Sequence, residues 1–195
     1  VADKLARTKL ARAALRLNRE SALPALVLMT DDARLADPLA AARALPRGSM
    51  VIVRSRDGAK RTQLIAALKP IARARELKLI AADDPALAMK ADGLHLPEAK
   101  AAQAVHWRAR HPRWIITSAA HCLSAIARAR HADAVFLSPI FTTQSHPEKA
   151  YLGAARARFI ARSSPRPLYA LGGIDAHNAQ SLRGFAGIAA IGALA

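Results

Sequence analysis

Two stretches of this chain combine residue types that suit an anion. The first is "FLSPIFTTQSHPEKAYLG", Phe136–Gly153. An apolar run breaks at Ser138-Pro139 and opens into hydroxyls, a histidine and a lysine, among them Thr143, Ser145, His146 and Lys149. Hydroxyls and cations on one loop can hold phosphate oxygens, and the same composition also serves an ordinary polar turn. The second is "ALGGIDAHNAQ", Ala170–Gln180. Gly172 and Gly173 let backbone amides approach a ligand closely. Asp175 can cap a following helix, whose amino end favours phosphate. A tight strand-to-helix turn uses the same residues, so the pair needs context.

That context is the set of elements that must position these residues. Short apolar runs recur at Pro24–Thr30, Met50–Ser55, Leu77–Ala82, Gly93–Leu96, Trp114–Ala119, Ala134–Ser138, Pro167–Gly172 and Gly187–Gly192. Most are continuously apolar rather than alternating, which suits parallel strands buried on both faces. Helical segments separate them: Asp37–Leu45, Lys60–Arg75, Pro85–Lys90, Pro97–Arg110, Ala120–Arg130, Gly153–Arg162 and Ala176–Arg183. Strand–helix alternation predicts a parallel α/β sheet, and eight units favour a closed (β/α)₈ TIM barrel. The expected organisation is an N-terminal helix over 1–20, a barrel over 21–195, and a short or missing final helix. In such a barrel, chemistry sits at the carboxyl ends of the strands. Asp31, Arg54, Arg56, Asp83, His95, His121, Thr143, Ser145, His146 and the Gly172-Gly173 pair all fall there. A phosphate site is then expected after strands seven and eight, with the amides near Ile191, Gly192 and Ala193 as its other half.

Composition narrows the function classes. Lys and Arg number 30 against 14 Asp and Glu, a net charge of +16 that attracts phosphorylated metabolites or polyanions. The basic residues are scattered, and aromatics make up only 4%, so no stacking platform for nucleic acid is expected. The single cysteine, Cys122, excludes an internal disulfide and a cysteine-based zinc site, and is expected to pack rather than react. No apolar stretch reaches the length of a membrane span. The basic N-terminal segment has helical spacing, and either caps the domain or lies on a membrane surface. A cytoplasmic protein with phosphorylated small-molecule partners is the simplest expectation, with a homo-oligomer left open.

Taken together, "ADGLHL", "SPIFTTQSHP" followed by "LG", "ALGGIDAHNA" and "GIAAIGAL" are similar, in order and spacing, to thiamine phosphate synthase and its sister, the thiazole tautomerase. The similarity covers roughly Pro24 to the C-terminus. It implies a barrel that binds a thiazole phosphate. In the synthase a pyrimidine pyrophosphate also binds with magnesium, pyrophosphate departs, and the thiazole nitrogen attacks the pyrimidine methylene.

Residue by residue, the resemblance is uneven. The family's Q-x-R-x-K strand reads Ile52-Val53-Arg54-Ser55-Arg56 here. Arg54 matches, Arg56 keeps the charge of the lysine, and Ile52 loses a pyrimidine hydrogen bond. Asp83 stands for the aspartate that holds Mg²⁺, a hard cation that wants oxygen ligands. It also suits a helix cap before Pro85. Lys100 stands where the family has a second metal aspartate, and it either excludes the metal or neutralises a phosphate itself; Glu98 is a neighbouring substitute. His121 keeps the family's histidine, a proton shuttle in the tautomerase, while Ala119 replaces a serine. In the loop after strand six, Thr143 and Ser145 occupy the hydroxyl positions, and His146 replaces the lysine. Arg54 and His121 are thus the expected catalytic groups. Arg54, Arg56, Thr143, Ser145, His146, Gly172, Gly173, Ile191 and Gly192 are the expected phosphate and pyrophosphate ligands. The resulting readings are a synthase, a tautomerase-like isomerase, and a non-catalytic phosphate-binding barrel.

Overall fold

The computed structural model describes residues 4–17, 21–143 and 150–194. Eight strands close into one parallel barrel: β1 (Leu26–Met29), β2 (Met50–Val53), β3 (Lys78–Ala82), β4 (Gly93–Leu96), β5 (Ile115–Ala120), β6 (Ala134–Leu137), β7 (Leu168–Leu171) and β8 (Gly187–Ala190). Closure is made by β1 and β8, with Val27 opposite Ala189. The continuous apolar runs are what permit this. "LVLM", "MVIV", "AVFL" and "GIAA" are buried along their whole length, because one face fills the barrel and the other meets the helices.

With so few aromatics, aliphatic side chains fill most of the core, but one aromatic chain crosses it. The His95 ring on β4 meets Phe136 on β6 edge to face, and Phe136 stacks on Tyr169 of β7 with centroids 5.1 Å apart. The Tyr169 hydroxyl donates to Pro24 O at 2.9 Å, and burial pushes its pKa up to about 12.

Seven α-helices are described: α1 (Lys4–Leu17), α2 (Pro38–Ala44), α3 (Gly58–Arg75), α4 (Pro85–Ala88), α5 (Ala104–Arg110), α6 (Leu123–Arg128) and α7 (Ala154–Ser163). Aspartates start three of them. Asp37, Asp57 and Asp84 each accept a backbone N–H of the following turn, and proline stands at the head of α2 and α4. The N-terminal segment caps the domain: α1 buries Leu10, Ala11, Ala13 and Ala14 and packs against β1 and β8.

Two helical expectations change. The Pro97–Arg110 segment begins as a 3-10 helix, Glu98–Gln103, before α5 takes over. Between β7 and β8 the expected helix Ala176–Arg183 is one 3-10 turn, Ala179–Ser181. Here Asp175 Oδ1 accepts from the amides of His177 and Asn178, and Asn178 Nδ2 donates to Gly173 O. These local side-chain bonds compete with the helical ladder. A further 3-10 turn, Gly192–Leu194, follows β8.

Candidate functional site

A cavity of about 710 Å³ opens at the carboxyl ends of the strands. Its lining includes Arg34, Arg54 and His121 together with Thr143, the Gly172-Gly173 turn and Ile191-Gly192. A smaller hollow of about 410 Å³ lies at the opposite end, beside the starts of β3 and β4. Of its two carboxylates, Asp92 accepts the Leu79 amide at 2.7 Å and so serves strand pairing, and Glu76 pairs with Arg47. That end of a barrel carries stability rather than chemistry.

At the β1–β2 corner the backbone itself is locked. Thr30 Oγ1 donates to Arg54 O at 2.7 Å and accepts the Arg54 amide at 2.8 Å, so Arg54 leaves the sheet at a fixed point. Its guanidinium forms an ion pair with Asp31. Arg34 binds the same Asp31 oxygen at 2.8 Å. That Arg34 bond is the main reason the Asp31 carboxyl is held well below the usual range, and the amides of Ala33 and Arg34 add to it. Asp32 takes the Ser55 hydroxyl, the Arg56 amide and, at 3.1 Å, Lys60 Nζ. Arg56 is exposed beside this corner and does not line the cavity.

Buried under the corner is His95, whose Nδ1 lies 2.9 Å from Thr117 Oγ1. Burial lowers its pKa to about 4, and the positive charge of Arg54 adds to the effect, so the ring is neutral at pH 7.

Asp83, expected to hold Mg²⁺, follows β3 with a left-handed φ of 53°. Its carboxylate holds an ammonium instead: Lys100 Nζ is 2.6 Å from Oδ1. The helix-capping aspartate is its neighbour, Asp84. Among the described residues, no three His, Cys, Asp or Glu side chains come together to bind a metal ion. Glu98, the neighbouring substitute, is bonded to His121 and Arg128. Its Oε2 accepts both the His121 amide, at 2.8 Å, and His121 Nδ1, at 2.6 Å, while Arg128 lies 3.3 Å from Oε1. Burial works to raise the Glu98 carboxyl, and the bonds from His121 outweigh it, leaving the pKa below the usual value. Cys122, expected to pack, is exposed, with Sγ 3.2 Å from Ser124 Oγ.

Across the cavity the wall is mostly backbone. The sheet ladder runs on past β6 and β7: Ile140 N donates to Leu171 O and Phe141 N to Gly172 O, both at 3.0 Å. The far end of the β6 loop returns to the same place, with Leu152 N on Pro139 O and Gly153 N on Ile140 O. Gly172 and Gly173 have φ of 99° and 65°, where other residues are strained. A Cβ on Gly173 would stand 2.3 Å from Thr142 O. The double glycine therefore lets two loops close on each other. At Gly192, by contrast, a Cβ would meet nothing within 4 Å.

The structure thus brings Arg54, His121, Thr143, Gly172, Gly173, Ile191 and Gly192 to one cavity. Arg56 stands outside its lining, Asp83 is paired with Lys100, and Ser145 and His146 lie outside the described residues. Sequence reasoning missed Arg34, the Asp31 anchor and the Glu98–His121 pair. The run Asp31-Asp32-Ala33-Arg34 right after a strand was an available signal for the first two. Glu98 and His121 follow adjacent strands, and only that placement hints at contact.

The family model described as thiamine monophosphate synthase (TMP-TENI) matches residues 25–194. A thiamine-phosphate synthase of Helicobacter pylori (strain Shi470) is 37% identical over 113 residues, covering 56% of this chain and 52% of that protein. One from Synechocystis sp. is 31% identical over 150 residues, covering 72% and 43%. The chain spans about half the length of the curated relatives it matches. Among solved structures, a thiamine phosphate pyrophosphorylase from Pyrococcus furiosus superposes with a TM-score of 0.66 at 22% identity, covering 95% of this chain and 87% of that one. At that identity the superposition shows the fold alone. Matched by the family model along the whole barrel, from β1 to the turn after β8, the chain belongs to the thiamine monophosphate synthase family.

Proposed function

We propose that this barrel joins a pyrimidine pyrophosphate to a thiazole phosphate, releasing pyrophosphate and leaving thiamine phosphate. One observation carries the reading beyond family membership: a guanidinium held in place, Arg54, and the Gly172-Gly173 turn line a single cavity. Two anions need two sites, and these surfaces differ in the way two such anions would require. The monophosphate of the thiazole goes to the turns after β7 and β8, where the first amides of the 192–194 turn lack partners within the turn. The pyrophosphate goes towards Arg54 and the loop after β6, with Thr143 at the cavity wall.

The reaction then balances simply. The bond between the pyrimidine methylene and the pyrophosphate oxygen breaks, and its electron pair leaves with pyrophosphate. The thiazole nitrogen lone pair forms the new carbon–nitrogen bond. Charge builds on the departing oxygen, so a cation held by Thr30 and Asp31 before substrate arrives lowers the barrier without reorganising. The test is turnover: purified protein, pyrimidine pyrophosphate and thiazole phosphate, with thiamine phosphate read by chromatography. Product that disappears in Arg54→Ala supports the reading. No product from wild type, with and without Mg²⁺, refutes it.

A second reading has its own observation. Glu98 holds His121 through Nδ1, which leaves Nε2 as the nitrogen open to proton exchange with a ligand. Such a pair suits a tautomerase-like isomerisation of a thiazole phosphate, which needs one acid–base group and no pyrophosphate site. Solvent-deuterium exchange into thiazole phosphate that vanishes in His121→Ala supports it. Equal exchange in both proteins removes His121 from that chemistry.

A further inference from the structure

The carboxylates around the ends of β3 and β4 are already occupied. Asp83 Oδ1 holds Lys100 Nζ at 2.6 Å. Asp84 caps α4 through the Leu87 amide and pairs with Arg61 at 3.2 Å. Glu98 is committed to His121 and Arg128. A divalent hard cation needs several oxygen ligands converging on one point, and an ammonium that neutralises a carboxylate also repels a second cation from it. The residues present therefore do not fit a divalent metal.

The ammonium is placed to act in its stead. Asp83 is fixed from behind, its amide donating to His95 O at 2.9 Å in a left-handed turn. β2 and β3 are neighbouring parallel strands with Val53 opposite Ala81, so Arg54 and Asp83 leave the sheet side by side at the same end of the barrel. Both partners are nearly half exposed, at 46% and 43%. An ammonium carries three donors, and Asp83 takes one.

We propose that the Lys100 ammonium, held by Asp83, supplies the positive charge that a divalent metal would otherwise bring to an anionic ligand, so that this barrel takes its pyrophosphate group without metal. The inference rests on the pyrophosphate site proposed above, and its test separates the two.

Mn²⁺ binding is followed by electron paramagnetic resonance, and inorganic pyrophosphate binding by calorimetry in EDTA and in Mg²⁺. Wild type should bind no Mn²⁺ at sub-millimolar concentration. Its pyrophosphate affinity should be equal or weaker in Mg²⁺, because Mg²⁺ complexes pyrophosphate in solution. Lys100→Ala should weaken pyrophosphate in EDTA at least tenfold. Lys100→Asp should gain Mn²⁺ binding and make pyrophosphate binding metal-dependent. Stoichiometric Mn²⁺ on wild type, tighter pyrophosphate with Mg²⁺, or an unchanged affinity in Lys100→Ala overturns the proposal. If Lys100 binds pyrophosphate in this way and yet no thiamine phosphate forms, the synthase reading fails and the metal-free site stands.

Discussion

The two halves of the barrel mouth are built from different materials. From β1 to β5 the positions are set by side-chain pairs: Arg54 and Arg34 on Asp31, Lys60 on Asp32, Lys100 on Asp83, His121 on Glu98. From β6 to β8 they are set by backbone, through amide ladders and glycines at positive φ. The first half holds charge in place. The second holds shape. Exposed pairs of the first kind add only about 0–1 kcal/mol each to stability. Their value here is orientation, and substitutions should separate the halves: function lost with stability kept in one, stability lost first in the other.

The largest expected effect is in the charged half. Arg54→Ala should lower kcat/KM by roughly 10²–10³, the scale of losing one preorganised electrostatic contact, with thermal stability little changed. Steady-state kinetics beside a melting curve checks both. In the backbone half the order reverses. Gly173→Ala should cost about 3–4 kcal/mol, from left-handed strain plus the clash with Thr142 O. Gly192→Ala points into open space and should stay within about 0.5 kcal/mol. Urea unfolding of the two variants measures that contrast, and equal losses would break it.

Acid should attack the charged half from beneath. The folded pKa of His95, about 4, lies below its ordinary value of about 6.5. Between those values the unfolded chain binds the extra proton, so this stability is fully present above pH 6.5 and is lost as pH falls towards 4. The loss approaches about 3 kcal/mol, and in His95→Gln that part of the pH dependence should vanish from urea midpoints. A smaller effect on activity is expected at Glu98. On the isomerase reading, replacing it by Gln weakens a charge-assisted bond while keeping the shape, so deuterium exchange into thiazole phosphate should slow about tenfold. Its KM should hold.

The same division explains what the sequence made legible. All eight strands were readable, because strands buried on both faces are largely apolar along their length, as in "AVFL" and "MVIV". The Gly172-Gly173 turn was readable because its φ values tolerate little else. The ion pairs were not. Asp31 and Arg54 lie 23 residues apart, as do Glu98 and His121, and the pairing of neighbouring strands is what joins the loops that carry them. Asp83 reads as a metal ligand, and its pairing with Lys100 was hidden because the lysine sits on the next strand's loop. The helix expected after β7 failed for the opposite reason. Local bonds from Asp175 and Asn178 outweighed a helix-compatible composition.

The most direct test of the two-half account is a crystal structure with thiazole phosphate and inorganic pyrophosphate bound together. The account predicts the monophosphate against the backbone of Gly173 and Ile191–Gly192, and the pyrophosphate between Arg54 and the Lys100 ammonium with no metal peak. Phosphate density in the hollow at the opposite end, or a pyrophosphate that touches neither cation, would contradict it.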